Sequence, residues 1–535
     1  MKNIMFGVLL ALEAFTGEVR AFDLEAMTVE KYNKIQDIRK QSNVDLIAAV
    51  QRGDDQRVQA LLEEGADVNQ RDGAENTALL AAVKGGYKNI AEILLKNGAD
   101  VNARMADLSY SVGYYNGREE TKFYQSKGLT PLMSALAAGR GDMVELLLEN
   151  GADTELRDVH EMTALMMAAE RKDVSIINTL LDFGADITAR GKYGDSLISY
   201  ALTGIDDVAK YKIFADLQDG KAGLAQLMVL GDDGFEMLAE KNKREALEMT
   251  EMLIEAGADV NERDDFGRTP LMEACKRADV TAVEFLLAHG ALINLQDKEQ
   301  KTALMYAAEY AGRESNLQII KMLLAKGADV NIENALGETA LMIASQTEEG
   351  EAAIKLLLNK GADINKQAVR GGGALHDAYN FADNIYGDKN TFDVLLEAGA
   401  DINQGDNQGR TVLMEAVQNN DLAMVRKLLE KGADVNQQTT DFWGGTALMI
   451  AAEKGNEDIV RLLLQAGADV NVRDNYKETA LVLAVKNGHE NIVRLLLENG
   501  ADVNGKSFYR ETVLDCAEKG GNQAIIGVLK NYGAK

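Results

Sequence analysis

Two prolines, two cysteines, four histidines and one tryptophan are all that the 535 residues hold of these types. Each scarcity excludes something. With aromatics at 6% and proline almost absent, the composition is that of helices packed closely through Ala and Leu. It is not that of a sheet-rich enzyme built around large aromatic cores. Two cysteines and four histidines cannot assemble a zinc-type cluster. No EF-hand loop, P-loop or G-x-S-x-G nucleophile elbow occurs, so neither a cofactor nor a catalytic group is indicated. Basic excess is missing as well: net charge is −28. A surface that acidic repels phosphate backbones and anionic headgroups, which argues against nucleic acid and membrane surfaces as partners. The same acidity also serves simply to keep a large protein soluble. The apolar run Ile4 to Leu12 falls far short of the roughly 20 residues that span a bilayer, so membrane insertion is not expected.

Hydrophobic residues nevertheless make up 46% of the chain, and they are arranged periodically. Gly-Ala-Asp-Val-Asn or a close variant recurs with its glycine at 65, 98, 151, 184, 257, 290, 327, 361, 399, 432, 467, 500 and 533. Six of the twelve intervals are 33 residues, and the others are 33 plus an insertion. About 21 residues before most of these glycines stands a second motif, as in Thr77-Ala-Leu, Thr130-Pro-Leu, Thr269-Pro-Leu, Thr446-Ala-Leu and Thr512-Val-Leu. Threonine suits a helix N-cap, its hydroxyl accepting from an otherwise unpaired backbone N–H. Proline or alanine then takes the first helical position, where a missing N–H costs nothing. Small pairs such as Ala451-Ala452 allow close approach of first helices. Leucine pairs such as Leu463-Leu464 and Leu496-Leu497 fill the core from the second helix. The glycine ends that helix in a left-handed C′ position, and Asp-Val-Asn leads through a turn to a tip such as Asp264-Asp265-Phe266-Gly267.

In these motifs the sequence resembles the ankyrin repeat family, over about residues 43–535 and thirteen repeats. The resemblance implies an all-α solenoid with short β-hairpin tips. It also implies a scaffold that binds another protein through its concave face and tips, and not an enzyme. The family's motif histidine is replaced by Met133, Met166, Met272, Met305, Met342, Met414 and Met449 and survives only as His376, which puts its usual Thr–His hydrogen bond in doubt. Cys275 and Cys516 fall at core-facing helical positions seven repeats apart, so they cannot pair. The four histidines, His160, His289, His376 and His489, share no ligand or triad spacing within one repeat.

Outside the repeats, Lys2, the apolar run and Val19-Arg20-Ala21 resemble a bacterial secretory signal peptide over residues 1–21. That reading implies a periplasmic or secreted protein; an amphipathic helix in a cytoplasmic protein is the alternative. Residues 22–42 are expected to cap the first repeat as a helix. Residues 104–127 form one insertion, in which Asn116-Gly117 between alternating stretches signals an extended hairpin with a type I′ turn. Its rings, Tyr114 and Tyr115 among them, either stack across the strands or grip a partner. Residues 204–243 form a second insertion, expected to be helical, inside repeat five. Smaller lengthenings occur near 310–316 and 380–390.

Aligning each tip to its threonine places Tyr193, Phe266, Trp443, Tyr476 and Tyr509 at one tip position, with Phe442 and Phe508 just before it. Aromatic tips either pack on the neighbouring tip or meet a partner, for which Trp and Tyr are favoured anchors. Toward the end of the first helices stand Lys84, Arg171, Lys276, Arg277, Lys454, Lys486 and Lys519. This row either lines a groove that differs in polarity from the outer face or is a set of solvated helix ends. The leading expectation is a monomeric protein-binding scaffold without cofactor or metal. A secreted effector that engages a host protein is a second reading, and a small-ligand or enzymatic site in 204–243 a third.

Overall fold

The computed structural model describes residues 45–72, 76–104, 109–115, 118–124, 128–202, 241, 243–382, 389–506 and 511–535. The readings made for residues 1–42, for nearly all of the 204–243 insertion, for the Asn116-Gly117 turn and for Phe508 and Tyr509 lie outside the described residues. The chain divides into two compact units, Met1–Asp265 and Phe266–Lys535.

In the first unit, helix Asp55–Glu63 is followed by the pairs Ala78–Gly85 and Lys88–Lys96, Pro131–Ala137 and Gly141–Glu149, and Ala164–Arg171 and Val174–Asp182. Leu197–Leu202 and a helix over 243–255 come next. The second unit repeats the plan from Pro270–Lys276 and Val280–Ala288 to Val513–Gly520 and Gln523–Asn531. Within each unit first helices pack on first helices and second helices on second helices, giving two layers. Ala451, Ala452, Leu463 and Leu496 are fully buried between them. Each such leucine contributes about 1.5–3 kcal/mol by leaving water.

The threonine caps form as their chemistry requires. Thr130 Oγ1 accepts from Met133 N at 3.2 Å, Thr302 from Met305 N at 3.3 Å and Thr446 from Met449 N at 3.3 Å. Thr339 and Thr479 begin their helices without that bond. The histidine-to-methionine departure has a physical answer at two places. Thr163 N donates to the Met166 sulfur at 3.5 Å and Thr269 N to the Met272 sulfur at 3.4 Å, so a thioether closes the capping box as a weak acceptor. At the other end, Gly467 stands at φ +90°, a conformation that a side chain would strain.

The Asp-Val-Asn tail does more than turn the chain. The aspartate folds it locally: Asp469 Oδ1 accepts from Asn471 N at 2.9 Å. The asparagine then crosses to the next repeat, where Asn471 Nδ2 donates to Gly500 O at 3.2 Å and its Oδ1 accepts from Asp502 N at 2.8 Å. The same double bond joins Asn69 to Gly98 and Asp100, Asn331 to Gly361 and Asp363, and Asn436 to Gly467 and Asp469.

The expected β-hairpin tips are turns among the described residues, with isolated bridges at Arg71–Thr77, Gln438–Thr446 and Lys506–Thr512. Single backbone bonds tie one tip to the next, as in Lys298 N to Phe266 O at 2.9 Å, Val369 N to Leu336 O at 2.8 Å and Asn475 N to Trp443 O at 2.9 Å. The 104–127 insertion is the paired β element: Ser109–Tyr115 runs antiparallel to Arg118–Tyr124, with Tyr114 opposite Glu119 and Tyr115 opposite Arg118. That register leaves two residues between the strands.

Candidate functional site

Several tips are held by an acidic or amide side chain that accepts from the backbone two and four residues on, at Asp158, Asp297, Asn334, Asp406 and Asp474. Asp474 Oδ1 takes Tyr476 N at 2.9 Å and Glu478 N at 2.7 Å, and Asn334 Oδ1 takes Leu336 N and Glu338 N at 2.9 Å. In the second unit Phe266, Leu336, Val369, Phe442 and Tyr476 are exposed, with Leu336 at 63%, Val369 at 69% and Phe442 at 80% of full exposure. Arg268 lies over the Phe266 ring, 4.6 Å from its centroid. In the first unit Tyr193 is exposed likewise, with the Lys192 ammonium 5.7 Å from its ring centre.

Trp443 behaves differently from the outward tip that its position suggests. Its N–H is drawn in by Asp441 Oδ1 at 3.0 Å, and the residue is half-buried. The ring folds over Gly445, where an added Cβ would stand 2.3 Å from it, so only glycine fits beneath. Phe442 takes the outward place that alignment gives to Trp443, because the tip of this repeat is longer by the Asp441 turn.

The basic row is mostly satisfied locally. Lys84 Nζ donates to Asn76 Oδ1 at 3.2 Å, and Arg171 to Ala137 O at 3.2 Å. Lys486 pairs with Glu478, and Lys519 with Glu511. Lys276, Arg277 and Lys454 are exposed, and among the described residues none of them makes an ion pair. The two tyrosines of the ribbon, Tyr114 and Tyr115, are the last two residues of strand Ser109–Tyr115.

Sequence reasoning missed a polar groove in the second unit. It consists of two cavities, about 410 and 320 Å³, both bounded by Asn380, Arg410 and Glu415. The first is further lined by Arg370, His376 and Asp406, the second by Asp441, Trp443 and Glu453. His376 is only 2% exposed; its Nε2 lies 3.1 Å from Arg410 O, and Nδ1 has no partner. Burial lowers the pKa of this ring. Burial also pushes the Asp377 carboxyl up to about 7, against the pull of its ion-pair partner Arg370. Glu415 is likewise pushed up to about 7, by burial first and then by the charge of Asp406. Arg410 Nε is 3.3 Å from Asp406 Oδ2, and Arg370 Nη2 is 3.5 Å from Glu338 Oε1.

The family model "Ankyrin repeats (3 copies)" matches residues 29–105 and 108–211, and overlapping segments from 237 to 535. The chain belongs to the ankyrin repeat family. Members of this family are scaffolds for protein–protein interaction. Among similar ankyrin proteins are ankyrin repeat and SOCS box protein 6 of Homo sapiens, 30% identical over 151 residues, 25% of this chain and 36% of the relative. Ankyrin repeat and SAM domain-containing protein 6 of Rattus norvegicus is 46% identical over 68 residues, 12% of this chain and 8% of the relative. Ankyrin repeat domain-containing protein 63 of Mus musculus is 41% identical over 79 residues, 14% of this chain and 20% of the relative. The chain thus spans little more than a third of the first of these and less of the others.

The groove had a signal in the ankyrin motif itself. One position after the motif Met or His, repeats eight and eleven carry Ile343 and Ile450, whereas repeats nine and ten carry Asp377 and Glu415. Repeat nine also keeps the motif histidine and has Gly372-Gly373 in place of a threonine cap. Among the described residues, no helix is long and apolar enough to cross a membrane.

Proposed function

We propose that this ankyrin chain acts as a single-chain scaffold whose second unit holds a segment of another protein against its tips and the adjoining first helices. The row of outward apolar tips carries the reading. Leu336, Val369 and Phe442 are each more than half exposed, yet the backbones of Leu336 and Val369 bond each other and the Phe442 carbonyl accepts from the Asn475 side chain of the next tip. Fixed, exposed apolar side chains offer contact area without a further ordering cost, which is what an interface anchor needs. Holding, as opposed to reacting, is also supported by the histidines. His289 Nδ1 lies 2.8 Å from Phe285 O and His489 Nε2 3.1 Å from Glu453 O, both engaged in helix ends.

The test replaces Leu336, Val369 and Phe442 together by serine in the full chain. Proteins captured from the lysate of the native host are then compared with those taken by the unaltered chain, by quantitative mass spectrometry. Loss of a specific set of proteins is expected. Capture of the same set in the same amount sinks the proposal. Export, read from residues 1–21, belongs to the same proposal, and N-terminal sequencing of the protein from its host checks it.

A further inference from the structure

The groove of repeats nine to eleven is unfinished in a particular sense: its unmet atoms are acceptors. Arg410 O can only accept, so His376 Nε2 carries the ring proton. With the ring neutral, Nδ1 is a lone pair, and it is buried without a donor. Glu415 Oε2 is in the same condition once the carboxyl has lost its proton, above about pH 7. The cations at hand are already engaged, Arg370 by Glu338 and Asp377, Arg410 by Asp406. An anionic occupant would have to break those pairs and would leave the orphan acceptors unserved. A cationic donor meets them, beside further carboxylates at Asp406, Asp441 and Glu453.

We propose that this groove receives an arginine side chain presented by a partner protein, its guanidinium donating to Glu415 and His376 and lying against Trp443. The guanidinium is planar, offers donors on two edges and stacks on aromatic faces, so one group serves two separated acceptors and an indole. The inference rests on the reading of the second unit as a protein-binding surface and adds the chemistry of what enters it.

Trp443 is the one tryptophan of the chain, so its fluorescence reports from the wall of the groove. The full chain is titrated with acetyl-Gly-Leu-Arg-Leu-Gly-amide and with its citrulline, lysine and glutamate counterparts. A saturable change in emission is expected with the arginine peptide, with citrulline weaker by about tenfold or more because the charge is gone. Glu415→Gln is expected to weaken the arginine peptide by a similar ~10-fold while the melting temperature holds or rises. Equal affinity for arginine and citrulline overturns the inference. So does tighter binding of the glutamate peptide, an unchanged affinity in Glu415→Gln, or no saturable change up to about 10 mM arginine peptide. These outcomes separate from the tip experiment. If the serine tips lose their partners while the groove shows no arginine preference, the scaffold stands and the arginine site falls. An arginine preference with unchanged capture does the reverse.

Discussion

Repeats nine and ten differ sharply from eleven and twelve, although the two pairs share a fold. Both have second helices with a fully buried leucine four residues before the closing glycine, Leu395 in one pair and Leu463 in the other. Both are joined to their neighbours through the tail asparagine, Asn403 to Asp434 and Asn471 to Asp502. Yet the position after the motif residue, which is His376, Met414, Met449 or Val482, holds Asp377 and Glu415 in the first pair and Ile450 and Leu483 in the second. The scaffold is set by the residues that the pairs have in common, and the chemistry of the inner wall by positions where they part, this one and the His376 of repeat nine among them. A repeat protein can therefore change what it recognises without changing what holds it up.

That separation is open to attack, first at the core. Leu395→Ala and Leu463→Ala are expected to cost about 3 kcal/mol each, since equivalent buried leucines leave similar cavities. Urea unfolding measures both, and a large loss in one beside almost none in the other breaks the equivalence. The inner wall comes next. The Glu415 carboxyl ordinarily ionises near 4.5 and in the fold holds its proton up to about 7. Between those values the folded chain keeps a proton that the unfolded chain has released, so stability falls as pH rises through that window and stays low above it. Glu415→Gln is expected to gain on the order of 2 kcal/mol at pH 8 and almost nothing at pH 4. A gain of equal size at both pH values removes the carboxylate as its cause.

Smaller effects probe the joints and caps. Asn471→Ala removes the bonds to Gly500 O and from Asp502 N, and about 1–1.5 kcal/mol is expected, read from denaturant curves. Thr446→Ala is expected to cost about 1 kcal/mol through its lost cap. Thr339 makes no such bond and its hydroxyl is buried without a partner, so Thr339→Ala is expected to be neutral or slightly stabilising in the same assay. Equal losses at both threonines would show that the hydroxyl contributes something other than the cap.

Much of the fold was legible because its signals are local. A threonine, a run at helical spacing and a glycine specify start, body and end within one repeat, and the helices fall where those residues put them. The alternating stretches of the inserted ribbon pair as antiparallel strands, as their pattern suggested. The candidate site was less legible. Exposure of Phe442 in place of Trp443 depends on the Asp441 turn and on Gly445 lying under the ring, contacts that alignment to threonine does not contain. Two members of the basic row, Lys486 and Lys519, find carboxylates eight residues back, across the turn that precedes their own helices, pairs that spacing within the helix does not announce. The groove depends on side chains from three successive repeats meeting, which no single repeat announces.

The tail asparagine has a consequence for how such a chain changes length. It touches only the glycine carbonyl and the aspartate amide of its neighbour, and every repeat that carries Gly-Ala-Asp presents that same pair. The joint is blind to which repeat follows. Excising Ala433 to Gly467 brings Asn403 before the Asp469 amide, where it has an acceptor's target identical to the one it lost at Asp434. Whole repeats can thus be cut out or copied in at the glycine as interchangeable segments, each edit moving the distance between tips by one fixed step.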